Sequence, residues 1–253
     1  MTRPLSFTPA AIAAAAIDLD GTLVDTLGDF HAAVTAMLAE LSLPAIAREA
    51  VAGYIGKGTE HLLHSVLRHV APQAGLDADA AEALYAAAWG HYMAHYATLN
   101  GQHAQVYPGV AEGLHALRAQ GLPLACLTNK PEAFARALLA RKGLDGFFAH
   151  IAGGDTYEFK KPHPLPLQET ARALGVAPAA MLMVGDSVND AQAARAAGCP
   201  VVLVPYGYSH GLDVATLDSD GVVADLAALA RALQGQAWSD KPSPLRPAGR
   251  PRD

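Results

Sequence analysis

Two aspartates, Asp18 and Asp20, stand two residues apart in the run Asp-Leu-Asp-Gly-Thr (18–22), directly after an apolar stretch. If that stretch is a strand, both carboxylates point to one side and Leu19 to the other. Gly21 then allows a sharp turn behind them. Neighbouring carboxylates repel unless a cation stands between them, and hard Mg²⁺ prefers oxygen ligands. Two more carboxylates, Asp186 and Asp190, occur in Gly-Asp-Ser-Val-Asn-Asp (185–190). Converging on Mg²⁺, the four would form an oxygen-rich half-cage with room for a phosphate and water. A phosphoryl group also needs positive charge and hydrogen-bond donors. Lys160 or Lys161, in Lys-Lys-Pro (160–162), can supply the charge, while the Thr128 hydroxyl and the Asn129 amide can donate. A carboxylate can itself be a nucleophile. A second one can protonate the leaving oxygen and then activate water.

These fragments must be carried to one place. Each follows or closes a short β-like run: 12–18, 122–129, 148–154 and 180–186, with another run at 200–206 and a weaker one at 221–225. Helical patterns at 109–120, 131–142, 165–174 and 189–197 alternate with the later runs. Such alternation implies a parallel sheet with helices on both faces. In an open parallel sheet the carboxyl ends of the strands line the ligand crevice, where the four fragments would meet. One connection breaks the alternation. Residues 26–100 hold apolar residues at helical spacing and no convincing strand, too much for a plain crossover. They are expected to form a helical unit of their own, with the sheet-bearing core made of 1–25 and 101–235.

Taken in order, DLDGTLVDT, TNK, KKPHPLP and GDSVND resemble the four motifs of the haloacid dehalogenase superfamily, a likeness that runs from about residue 12 to 234. The resemblance implies an α/β fold: a Rossmann-like, doubly wound parallel sheet with a mobile helical cap inserted after the first motif. It implies Asp18 as nucleophile and Asp20 as general acid and base. Thr128 would bind the phosphoryl group, and Lys161 fits the third motif better than Lys160. Mg²⁺ would be held by the Asp18 carboxylate, the Asp20 backbone carbonyl and Asp186, with Asp190 supporting from outside the direct ligands. Within the superfamily, GGDTYEFKKPHPLPL, GDSVNDAQAARAAGCP and VPYGYSHG look most like bacterial phosphoglycolate phosphatases, which convert 2-phosphoglycolate to glycolate. A phosphatase or mutase for another small sugar phosphate, and a catalytically silent binding protein, are the alternatives.

Other fragments are weighed against plainer readings. Gly56-Lys57-Gly58 precedes a helical run; it is either an ordinary linker or a cap loop that reaches the substrate's carboxylate, with Lys57 as donor. Gly207-Tyr208-Ser209-His210-Gly211 matches the spacing of a hydrolase elbow, but no histidine follows His210 to complete a triad. A loop at the rim of the sheet is expected there. His91 and His95, and His61 and His64, read as ordinary helical surface or packing.

Composition sets the outer bounds. The chain has 253 residues, 51% hydrophobic and 17% charged, and a formal net charge of −6. That is a globular chain with enough residues for a full core. Its charge argues against a nucleic-acid partner, while a local cation cluster can still bind a small anionic metabolite. Cys126 and Cys199 form no Cys-x-x-Cys pair, so neither a zinc site nor a redox dithiol is expected, and the usage suits a reducing cytoplasm. Arg3 and the run 10–17 could pass for a short signal sequence, but the run leads straight into Asp18 and is read as core. No apolar run is long enough to span a membrane. Residues 236–253 carry four prolines and four Lys or Arg and read as a disordered tail.

Overall fold

The computed structural model describes residues 2–234; the tail read at 236–253 lies outside them. Strand β1 (Ala14–Ile17) opens the sheet and ends one residue before Asp18. The short strand β2 (Val24–Asp25) leads into five helices: α1 (Leu27–Glu40), α2 (Arg48–Ala52), α3 (Thr59–Val70), α4 (Ala78–Ala83) and α5 (Tyr85–Leu99). The chain returns through β3 (Gln105–Val106), which pairs antiparallel with β2. From there strands and helices alternate as α6 (Val110–Ala119), β4 (Leu124–Leu127), α7 (Glu132–Arg141) and β5 (His150–Ala152). They continue as α8 (Leu165–Ala173), β6 (Met181–Gly185), α9 (Val188–Ala197), β7 (Val201–Leu203) and α10 (Leu226–Leu233).

The main sheet has five parallel strands in the order β5-β4-β1-β6-β7, which puts β1 at its centre. The chain builds outward from β1 on one side and then crosses to the other, so a crevice opens at the carboxyl end of β1. β1 reads Ala-Ala-Ala-Ile, a sequence of weak strand propensity, yet every residue is fully buried. Burial on both faces overrides the propensity, and the small side chains let helices approach closely. Alternate residues of β1 face opposite cores. Ala15 and Ile17 join the apolar residues of α6, α7 and α10, while Ala14 and Ala16 join those of α8 and α9. A third core belongs to the inserted helices, where Val34, Met37, Leu63, Val66, Ala88 and Tyr92 are buried together.

One local expectation needs correction. Residues 221–225 form bridges rather than a strand: Val222 pairs with Arg3 on one side and Leu203 on the other. Asp220 is bound to Arg195 and the Val201 N–H, and Asp225 caps α10, so no run of paired residues can extend. The β2–β3 ribbon is an element that no sequence pattern announces. Two residues per strand carry too little periodicity to be read from sequence. Among the described residues no helix is long and apolar enough to cross a membrane.

Candidate active site

The end of β1 is pinned where the Asp18 N–H donates to the Val184 carbonyl of β6, at 2.9 Å. The Leu19 carbonyl then accepts from the Leu23 and Val24 N–H groups, closing the tight turn that brings both Asp18 and Asp20 onto the crevice. Leu19 is fully buried, while Asp18 and Asp20 keep 7% and 8% of their surface exposed. The Leu19 N–H, at 2.7 Å, and the Lys161 ammonium, at 3.1 Å, both reach one Asp18 oxygen, Oδ1.

Lys161 is buried. Its ammonium donates to Asp190 Oδ1 at 2.7 Å and to the Leu127 carbonyl at 2.8 Å, in addition to its contact with Asp18. Burial alone would lower its proton affinity, but Asp18 and Asp190 overrule that and raise its pKa. Its backbone is clamped by Asn129, whose Oδ1 accepts the Lys161 N–H at 2.9 Å and whose Nδ2 donates to the Lys161 carbonyl at 2.8 Å. Asp190 is fully buried at the first turn of α9, and its Oδ2 accepts from the Ser187 hydroxyl and N–H.

Asp186 lies one residue beyond β6. The Thr22 hydroxyl donates to its Oδ1 at 2.8 Å and the Tyr208 N–H to its Oδ2. Gly21 and Gly207 press against this carboxylate so closely that a Cβ on either would collide with it; Gly21 also has φ +87°. Asp18, Asp186 and Asp190 each offer an oxygen, all within 4.8 Å of one another. The Asp18 pKa is pushed up to about 7, first by burial and then by Asp190 and Asp20, against the pull of Lys161. Asp186 is raised well above the usual range by burial and by the charges of Asp190 and Asp18.

A cation relieves this strain. Asp18, Asp20, Asp186 and Asp190 face Lys130 and Lys161, which leaves the carboxylates in excess within a buried volume. The donors are all hard oxygens, the set that divalent Mg²⁺-type ions take. The acidic cluster therefore fits a divalent metal ion, with Asp18 and Asp186 the freer ligands and Asp190 held by Lys161 and Ser187.

Above the carboxylates is a pocket lined by Asp18, Asp20, Thr128, Asn129 and Lys130 on the core side. Phe30, Ile55, Gly56, Gly58, Leu62 and Tyr96 line the helical side. Thr128 is 3% exposed; its Oγ1 accepts the Lys130 N–H at 3.2 Å, which leaves its hydroxyl proton free to donate. Gly56 and Gly58 reach the pocket through their backbone. The Gly56 carbonyl accepts from Asn129 Nδ2 at 3.1 Å and from Asn189 Nδ2 at 3.2 Å. Gly58, at φ +92°, is the N-cap residue just before α3. Lys57 between them is exposed and does not line the pocket, because the chain turns its side chain outward where the backbone turns in. Asn129 in turn uses its amide hydrogens on two carbonyls, as a bridge between Lys161 and the inserted helices. Lys160 reaches the same helices, 3.9 Å from Glu60.

Several participants escape the motif reading. Lys130 is buried beside Asp20, Thr22 orients Asp186, and Asn189 reaches Gly56. Tyr208, in the Gly-Tyr-Ser-His-Gly loop, holds Asp186 with its N–H, while its hydroxyl meets Asp25 and the N–H groups of Thr26 and Leu27. Lys130 and Asn189 sit inside quoted motifs, so their polarity next to named residues was the available signal. Tyr208 offered none beyond its loop.

The family model for haloacid dehalogenase-like hydrolases matches residues 12–198. The chain is 47% identical to a phosphoglycolate phosphatase of Thiobacillus denitrificans over 219 residues, which span 87% of this chain and 94% of that one. It is 43% identical to a phosphoglycolate phosphatase of Nitrosospira multiformis over 226 residues, 89% and 97% of the two chains. Among solved structures, a predicted phosphoglycolate phosphatase from Haemophilus somnus superposes with a TM-score of 0.84 at 32% identity, covering 88% of this chain and 99% of that one.

Proposed function

The chain belongs to the haloacid dehalogenase-like hydrolase family, and from that premise we propose that it hydrolyses a small phosphate monoester through an aspartyl-phosphate on Asp18, with 2-phosphoglycolate as the substrate and glycolate as the product. The observation that carries this reading is the state of Asp18. One oxygen is fixed by the Leu19 N–H and Lys161, and an oxygen of the carboxylate lies within 4.8 Å of Asp186.

In this reading Asp18 Oδ2 attacks phosphorus in line, while Oδ1 stays held and cannot rotate into competition. Lys161 lies at the same carboxylate and offsets charge that builds on the phosphoryl oxygens, and the Thr128 hydroxyl donates to one of them. Asp20 passes a proton to the departing alkoxide oxygen, then takes one from the water that cleaves the acyl-phosphate. Asp18, Asp186 and the Asp20 backbone would hold Mg²⁺, with Asp190 behind them. The ion, when bound, supplies charge neutralisation for the phosphate and for the crowded carboxylates. The inserted helices act as a cap: Phe30, Ile55, Leu62 and Tyr96 close an apolar wall over the polar floor and exclude bulk water.

The names of the relatives and the completeness of the polar set support the substrate assignment. The test is kcat/KM across a panel of small phosphate esters with Mg²⁺ present. Preference for 2-phosphoglycolate by about tenfold or more is expected. Preference for a sugar phosphate would move the assignment to that class, and absence of turnover on every ester would remove the phosphatase reading.

A further inference from the structure

Lys130 has no role in the steps above, yet it is 4% exposed and its ammonium sits beside the proposed acid and base. Nζ lies 3.1 Å from Asp20 Oδ1 and 3.3 Å from Oδ2. It also donates to the Tyr96 hydroxyl at 2.5 Å. The Phe30 ring encloses a further side, its centroid 4.4 Å away, while the Tyr96 ring lies behind its own hydroxyl with its centroid at 4.8 Å. Tyr96 is itself fixed. Its ring stacks on Phe30 at 5.3 Å and on Tyr92 at 5.3 Å, and Phe134 of α7 meets it edge-on at 5.1 Å.

A buried ion pair is a weak way to gain stability, because desolvating both charges offsets their attraction. What such a pair does well is fix geometry. Lysine has a long, flexible stem, and here each direction open to its ammonium is defined by a different group. Asp20, in contrast, projects from a turn and must hold one oxygen near a leaving group that is present only in the Michaelis complex. We propose that Lys130 is the positioning residue for Asp20, holding its carboxylate in the proton-transfer orientation, and that Phe30 and Tyr96 of the inserted helices hold Lys130 in turn.

The proposal rests on the phosphatase reading, and its test uses three esters in parallel. A nitrophenolate leaves without needing a proton, whereas an alkoxide needs one. kcat/KM reports the step in which the ester bond breaks, so losing the orientation of Asp20 should matter only for alkyl esters. For Lys130→Met, kcat/KM is expected to fall about 10²-fold on 2-phosphoglycolate and equally on ethyl phosphate. On p-nitrophenyl phosphate it should fall less than about 5-fold. Tyr96→Phe keeps the aromatic stack and removes only the hydroxyl, so it tests the same point in a fold less exposed to disruption; a drop of about 3- to 10-fold confined to the two alkyl esters is expected.

An equal fall on all three esters would make Lys130 a structural residue and overturn the proposal. A fall confined to 2-phosphoglycolate would make it a contact for the substrate's carboxylate and overturn it as well. Should Lys130→Met fail to fold, the Tyr96→Phe pattern decides alone. A wild-type enzyme inactive on all three would sink the phosphatase reading itself, a result distinct from either outcome in the variants.

Discussion

On the floor of the pocket, charged groups are answered by other charged groups: Lys161 by Asp18 and Asp190, and Lys130 by Asp20. The wall above it, from the inserted helices, answers with hydrocarbon: Phe30, Ile55 and Leu62, with the Tyr96 ring. The floor is set by atoms that must stand at particular distances, so its residues tolerate little exchange. The wall is set by volume and the exclusion of water, requirements that many apolar residues meet. Chemistry should therefore be lost from the floor with little change in stability, and stability lost from the aliphatic part of the wall, Ile55 and Leu62, with little change in chemistry; Phe30 and Tyr96, which touch Lys130, stand between the two.

The sharpest test is Asp18→Asn. The amide is nearly isosteric but cannot carry the phosphate, so kcat should fall about 10⁴-fold or more, read from initial rates at saturating substrate. The melting temperature should hold or rise, because the change removes a buried charge whose pKa is pushed up to about 7. Substantial residual turnover would break the distinction between floor and wall.

Chelation comes next. EDTA should lower activity about 10²-fold or more, and added Mg²⁺ should restore it. The metal's effect on stability should also depend on pH, and its sign follows from Asp18. Its folded-state value near 7 lies above the ordinary 3.8. The protonated folded form is therefore favoured at low pH, and that contribution is lost as pH rises from about 4 through about 7. Protons and metal compete for the same oxygens. The rise in melting temperature on adding Mg²⁺ should then be small at pH 5 and larger at pH 8. A rise that is the same at both pH values would separate the metal from this carboxylate.

For the wall, Leu62→Ala should cost about 2–5 kcal/mol in a urea melt, because Leu62 is 2% exposed within the core of the inserted helices. Its kcat should stay within about 5-fold, a small effect for a wall residue that offers the reacting atoms no polar group. A large loss of kcat without loss of stability would make Leu62 part of the chemistry. Smallest of all, Lys57→Ala should change KM for 2-phosphoglycolate by less than about 2-fold, since its side chain is exposed and off the pocket. A larger rise confined to that substrate would restore Lys57 as a carboxylate donor.

The difference between the two regions also explains what could be read in advance. Asp18, Asp20, Thr128, Asp186 and Asp190 each stand at or just beyond a strand end or helix start, and Lys161 stands in the loop between β5 and α8 directly before Pro162; local sequence marks those positions. Parallel strands then bring them together by topology alone. Partnerships across the molecule carry no local mark. Lys130 meets Asp20 across 110 positions of sequence, and Tyr208 N–H meets Asp186 across 22. The two readings of Lys57, linker or carboxylate donor, stay open in the sequence for a related reason. Composition places a cation in a loop, but only backbone torsion, here Gly56 at φ +102° and Gly58 at φ +92°, decides which way it turns. Residues 221–225 have strand-like composition, yet the hydrogen-bonding demands of Asp220 and Asp225 cut the pairing short.

The β2–β3 ribbon has a consequence for how this architecture tolerates change. The excursion through α1–α5 departs and returns through residues that face each other, Val24 with Val106 and Asp25 with Gln105. To the five-stranded sheet the whole excursion is therefore equivalent to the loop of a hairpin, whose length has only a logarithmic effect on the entropy of joining its ends. A lineage could lengthen, shorten or exchange those helices while the register of β1 against its neighbours stayed untouched. Selectivity could then drift over a reaction centre that does not move.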